Sequence, residues 1–309
     1  MSIVSATNDF LRKRFGIEVR RVDGDGAPST PPQAPKPVAA KRQPKPAPKQ
    51  QRQGVARVGL PRATSPPGSA VASKFFDAYP RFFETSETFA NAVRLNLRYE
   101  AIFGQNRDIF DGATVLDIAS HDGRWTFAAL QTGASKVIGV EARPELVNRA
   151  KANLDHYDVS EDRYEFLTGD VFQVLRDRDI DVDIVLCLGF FYHTLRYNEL
   201  LHYIKSTSPD HLIIDSRIAK LDGPFVRVRT EPAIVQGNAV ADEFNTGERV
   251  LTGWPTAEAI TTMAGAYGFD LAARTDWAAL LRDNPTDESV DIYKTGARTT
   301  LRYRGPAKT

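Results

Sequence analysis

Between Ala113 and Ser216 the apolar positions fall into short dense runs, separated by longer stretches in which they recur every three or four residues. The runs "ATVLDIA", "SKVIGVEA", "RYEFLTGD", "DVDIVLCLGFF" and "DHLIIDS" are too short for core helices. They are also too continuously apolar for strands with one wet face, so they predict strands buried on both sides. The stretches "GRWTFAALQTGA", "PELVNRAKANLDHY" and "NELLHYIKS" carry helical spacing, and Pro144 suits the first turn of the second. Strands alternating with helices in this way predict an α/β fold with a doubly wound, mostly parallel sheet, its core spanning residues 113–216.

The flanks read differently. "SKFFDAYPRFFETSETFANAVRLNLRYEAIF" predicts helices, with Phe89, Val93, Leu97 and Ile102 near 3-4 spacing. After Asp215 the rhythm breaks. Residues 217–252 show β-branched alternation and turn residues but no long helix, which predicts a β-rich insertion, a hairpin or lid. "PTAEAITTMAGAYGFDL" restores a helix that runs into a strand, and "SVDIYKTGARTTLRYR" supplies a final strand, expected to pair antiparallel at the sheet edge.

Charge adds a boundary that hydropathy leaves vague. The formal net charge of the 309 residues is +1, yet residues 1–70 hold 13 Lys and Arg against 4 Asp and Glu, and 11 of the 19 prolines. The rest carries a net charge of −8. Residues 24–54, rich in Pro, Ala, Lys and Gln, cannot bury enough surface to offset ordering entropy, so residues 1–70 are expected to be a basic disordered tail. Within it, Asn8 to Val22 fits a short helix and an extended piece. That segment reads as a docking peptide or anion contact, or equally as a nonspecific solvated tail. Residues 71–309 form the expected globular domain. No run reaches the ~18 to 20 apolar residues of a membrane span, and no secretory signal is evident, so a cytoplasmic location is the default. A lone cysteine, Cys187, excludes a disulfide framework and a cysteine-based zinc site, and no spacing resembles a metal-ligand triad.

In an open parallel sheet, ligands bind beyond the carboxyl ends of the strands. Three of those ends are acidic: Asp117, Glu141 and Asp170. A carboxylate at the second suits both hydroxyls of a ribose. Asp170 suits an exocyclic amine, and Asp117 a cationic amino group. The first loop, "DIASHDG", keeps one glycine and adds Asp122, which disfavours the bare-amide cradle a pyrophosphate needs. A nicotinamide-dependent reductase is correspondingly disfavoured.

Together "VLDIASHDG", "VIGVEA", "LTGDVF" and "DIVLCLGFFYHTL", in order over Thr114 to Ser216, resemble the successive motifs of class I S-adenosylmethionine-dependent methyltransferases, a Rossmann-like fold. The departure is in the first loop, where Ala119 and His121 stand at glycine positions. The resemblance implies S-adenosyl-L-methionine as cofactor. It places Asp117, Ala119, Ser120 and Gly123 around the methionine part and Glu141 on the ribose hydroxyls. Ala142 and Arg143 lie alongside the ribose, Asp170 and Val171 flank the adenine, and Cys187, Leu188 and Gly189 lie near the methyl group.

Tyr192 and His193 follow the fourth strand, where acceptors approach, and His193 is the candidate base for a hydroxyl acceptor, or else a packing residue. His121 is a weaker candidate to face the acceptor. Arg94, Asn96 and Arg98 cover the site or face solvent. The segment also resembles bacterial relatives of wobble-uridine tRNA carboxymethylating enzymes and enzymes that O-methylate sugars or secondary metabolites. The acidic catalytic portion favours O-methylation of a small-molecule or glycan acceptor. Two alternatives stay open: an RNA modifier anchored by the basic tail, and a non-catalytic cofactor-binding scaffold. The oligomeric state is left undetermined.

Overall fold

The computed structural model describes residues 74–86 and 91–307, save 236, 245 and 289. The tail expected over residues 1–70, and Phe89, lie outside the described residues. Five strands, β1 (Thr114–Ile118), β2 (Lys136–Glu141), β3 (Tyr164–Thr168), β4 (Ile184–Leu188) and β5 (His211–Arg217), run parallel in a seven-stranded sheet. Two C-terminal strands, β8 (Asp270–Arg274) and β9 (Arg298–Arg304), complete it in the order β3-β2-β1-β4-β5-β9-β8. Strand order therefore reverses between β1 and β4, which opens a crevice beyond their carboxyl ends.

Period-2 side-chain alternation explains why these strands read as continuously apolar. Val115, Ile184, Leu186 and Ile213 enter one core, under α1 (Arg81–Glu84), α2 (Ala92–Ile102) and α3 (Arg124–Thr132). Leu116, Ile118, Val185, Cys187, Leu212 and Ile214 enter the other, under α5 (Val171–Asp177), α6 (Tyr197–Ser206) and α7 (Ala257–Ala266). Full burial of such aliphatic side chains stabilises by roughly 1.5–3 kcal/mol each. The helix starts are encoded locally. Asn91 accepts from Arg94 N at 2.6 Å to open α2, Pro144 opens α4 (Pro144–His156), and Thr256 accepts from Ala259 N at 3.1 Å to open α7.

The final strand departs from its expected place. β9 is antiparallel to both β5 and β8 and lies between them, so the edge belongs to β8. Leu301 and Tyr303 are fully buried, and the polar Arg298 and Thr300 are satisfied inside, against Asp215. The early part of the stretch assigned to that strand holds a short helix, α9 (Asp291–Lys294), which follows α8 (Trp277–Asp283). The insertion is a two-stranded antiparallel hairpin of β6 (Val226–Pro232) and β7 (Arg249–Pro255), reaching three residues past the expected boundary at 252. Tyr197 on α6 donates to Gly253 O at 2.8 Å and seats the hairpin on the domain. Among the described residues no helix is long and apolar enough to cross a membrane.

Candidate active site

The loop after β1 takes the left-handed backbone that glycines usually supply, but with side chains. Ala119 and His121 have φ of 55° and 54°, and Gly123 has 78°. A non-glycine residue held there stores roughly 1 kcal/mol or more, so the surroundings must impose the conformation. They do so from the end of β2. Ser120 N donates to Val140 O, and His121 N to Glu141 Oε2, each at 3.0 Å. These two loop amides are thereby engaged by β2. The charge argument made for Asp122 is corrected. Its fully buried carboxylate takes Arg124 Nε at 2.7 Å and Nη2 at 2.6 Å, and that guanidinium holds it far below the usual carboxylate range against the cost of burial. It therefore projects no net negative charge onto a ligand.

A cleft with about 920 Å³ of empty space, part of it open to solvent, lies over the strand ends. Ala119, His121, Glu141, Ala142, Arg143, Asp170, Val171 and Gly189 all line it. Glu141 is 6% exposed, and its oxygens each accept one backbone amide, Oε1 from Arg143 N and Oε2 from His121 N, both at 3.0 Å. A carboxylate fixed in this way keeps lone pairs for a diol without having to order itself. Asp170 caps α5 through Phe172 N at 2.9 Å and Gln173 N at 3.2 Å with Oδ1 alone, and burial raises its pKa against those two bonds.

Gly189, φ 101°, ends β4, and the 3-10 turn Phe191–His193 follows it. Tyr192 and His193 line the same cleft, their ring centroids 4.1 Å apart. His193 Nδ1 is hydrogen-bonded to Glu231 Oε1 of β6, and that oxygen also accepts from Ala239 N at 2.7 Å. Burial pulls the His193 pKa down, but Tyr192 and Glu231 outweigh it and raise the value above the ordinary one. Residues 237–240 of the hairpin loop form the outer wall. Arg143 ties the loop down, with Nη1 to Asn238 O at 3.3 Å and Nη2 to Ala233 O and Val235 O, each at 3.2 Å.

Beneath the acceptor end sits Asp215, fully buried at the end of β5. It takes Arg98 Nη2 at 2.8 Å, Arg298 Nε at 2.6 Å and Thr300 Oγ1 at 2.7 Å. Burial alone would raise its pKa, but Arg298 and Arg98 hold it at about 2. Arg94, Arg98 and Arg298 all line the cleft.

Six of the sequence-predicted residues stand behind this wall instead of in it. Asp117, 1% exposed, accepts from Thr126 Oγ1 at 2.8 Å, its Oδ1 has no hydrogen-bond partner, and burial raises its pKa to about 7. Such a carboxylate fits a cationic amino group as its missing partner. Ser120 is fully buried and Gly123 starts α3. Cys187 and Leu188 alternate into opposite cores, so Cys187 is displaced from the wall expected near the methyl group. Asn96 turns away from the cleft and accepts from Phe76 N at 2.8 Å. Glu231 and Arg298 escaped the sequence reading because each lies on a strand far from the motifs. Asp215, an acid in a buried run, was the available signal that cationic partners exist.

A profile of the family described as "Methyltransferase domain" matches residues 115–207. Among curated proteins, the protein arginine N-methyltransferase PRMT10 of Arabidopsis thaliana is 30% identical over 124 residues, 38% of this chain and 30% of that protein. The histone-arginine methyltransferase CARMER of Anopheles gambiae is 28% identical over 147 residues, 47% of this chain and 23% of that protein. The chain thus aligns with less than a third of the length of either relative. Among solved structures, the magnesium protoporphyrin IX methyltransferase of Synechocystis PCC 6803 with bound S-adenosylhomocysteine superposes with a TM-score of 0.48 at 16% identity, covering 76% of this chain and 95% of that one. The matched segment spans β1 to the end of α6, the strands and helices beneath the cleft, so this part of the chain is similar to a methyltransferase domain.

Proposed function

We propose that the protein transfers a methyl group from S-adenosylmethionine to an oxygen of a small-molecule or glycan-type acceptor. The observation that carries this reading is a single cleft that joins an anchored carboxylate, Glu141, to a Tyr192–His193–Glu231 cluster. When bound, the cofactor supplies an electrophilic methyl on a sulfonium. In this reading Glu141 holds the ribose hydroxyls, Asp170 the adenine end and Asp117 the amino group. Glu231 fixes the His193 ring through Nδ1, which leaves Nε2 to take the acceptor's hydroxyl proton as the oxygen attacks in line. The arginine acceptor named for the relatives is not carried over. A guanidinium entering the acceptor end would face Arg94, Arg98 and Arg298.

The division into a tail of residues 1–70 and a transferase domain of 71–309 belongs to the same proposal. So does a cytoplasmic setting, which a buried and unpaired Cys187 suits. Calorimetric titration with S-adenosylmethionine, S-adenosylhomocysteine and NADH tests it. Micromolar binding of the two thioether ligands, weakened about 10- to 100-fold by Glu141→Ala, is the expectation for losing a charged hydrogen-bond acceptor. Binding of NADH alone, or of nothing, ends the reading.

A further inference from the structure

We propose that the acceptor carries an anionic oxygen group, a carboxylate or a phosphate, which docks on Arg298 beside Tyr192 and the end of β4. The inference rests on the transferase reading and deepens it. Arg94, Arg98 and Arg298 line the cleft, with Arg98 and Arg298 only 7% and 4% exposed. Asp215 is the carboxylate they share, through Arg98 and Arg298. Glu231 is occupied with His193. Arg98 and Arg298 together face the single carboxylate of Asp215, so among the described residues this pair carries one positive charge in excess where desolvation is costly. Two neighbouring groups register that surplus. Burial and then Arg98 lower Arg94 to about 10, and His193 followed by Arg298 brings the Tyr192 phenol, despite burial, down to about 8.

The cofactor does not neutralise this wall. Its sulfonium and ammonium outweigh its one carboxylate, so loading it adds a further positive charge. Both guanidinium groups meet at the Asp215 carboxylate, but their other neighbours differ. The Arg98 guanidinium lies 4.6 Å over the Trp125 ring, whereas Arg298 Nη2 is 3.3 Å from where a Cβ on Gly189 would project and its guanidinium is 5.5 Å from the Tyr192 ring centre. A bare glycine at 189 thus lets a guanidinium reach the place where the acceptor oxygen must meet the methyl group. An acid on the acceptor would complete the charge balance and orient that oxygen.

The test uses the full chain saturated with S-adenosylhomocysteine and titrated by calorimetry with benzoate, benzamide and inorganic phosphate. The expected result is that benzoate or phosphate binds at least 10-fold tighter than neutral benzamide. Arg298→Gln should erase that preference while changing S-adenosylhomocysteine affinity less than 3-fold. Which anion binds tells carboxylate from phosphate. Because Arg298→Gln also strips a partner from the buried Asp215, a second readout uses the wild type. Phosphate should move the tyrosinate absorbance midpoint upward from about 8, and the moving component should be missing in Tyr192→Phe. No preference for the anions over benzamide overturns the proposal. So does anion binding that S-adenosylhomocysteine competes away, which would give these cations to the cofactor's own carboxylate. A chain that takes up no S-adenosylhomocysteine overturns the transferase reading, and this inference with it.

Discussion

Asp215→Asn removes the negative charge from a site built around two guanidinium groups while keeping the side chain's size. The aspartate takes four side-chain groups, Arg98, Arg298, Thr300 and the more distant Tyr293 hydroxyl at 3.4 Å, and none of its surface reaches water. Removing one partner of a buried ion pair costs about 3–5 kcal/mol, because the orphaned charge stays desolvated. Part of that depends on pH. The carboxyl falls from 3.8 to about 2 on folding, nearly two units, which corresponds to about 2 kcal/mol. A depressed acid stabilises the fold fully above its unfolded pKa and loses that stabilisation as pH falls through the folded one. The wild type should therefore keep the whole increment at pH 7 and about half of it at pH 3, whereas the asparagine variant lacks it throughout. Urea unfolding followed by tryptophan fluorescence and far-ultraviolet circular dichroism reads both quantities. A difference under 1 kcal/mol at pH 7, or one that does not narrow on acidification, would refute the view that Asp215 is the counter-charge to Arg98 and Arg298.

Other perturbations follow from the same contacts. Glu231→Gln withdraws a group that raises the His193 pKa, so the rise of methyl transfer with pH should shift to lower pH; an unmoved profile would leave His193 without a role as base. Arg143→Ala releases three carbonyl contacts on residues 233–238, and limited proteolysis should then cut the hairpin loop faster than in the wild type, with S-adenosylhomocysteine slowing both. Burial pushes the Cys187 thiol up to about 12, so it should resist a thiol-reactive disulfide at pH 8 until denaturant is added.

The cofactor end of this site was legible because its residues follow one another at strand ends within a single run of motifs. Glu141 and Asp170 needed only the period of the strands to be placed. Ala119 and His121 show where that approach stops. Residue type predicts right-handed backbone there, and only the pull of Glu141 and Val140 on the loop amides reveals the left-handed turn. The interior place of the last strand was not legible for a related reason. A strand's neighbours are set by partners distant in the chain, and Arg298 and Thr300 find theirs on Asp215, which pairs across the register with Thr300.

The acceptor end is assembled across the chain, and the hairpin is what assembles it. Glu231 comes from β6 and reaches back to His193, while the loop beyond it, held by Arg143, roofs the half of the cleft assigned to the cofactor. Glu231 Oε1 also accepts from Ala239 N, so the partner of His193 is hydrogen-bonded to the loop of residues 237–240 that walls the cleft. For a displacement reaction whose catalysis is chiefly orientation, that coupling makes the insertion part of the site and not a decoration on the fold.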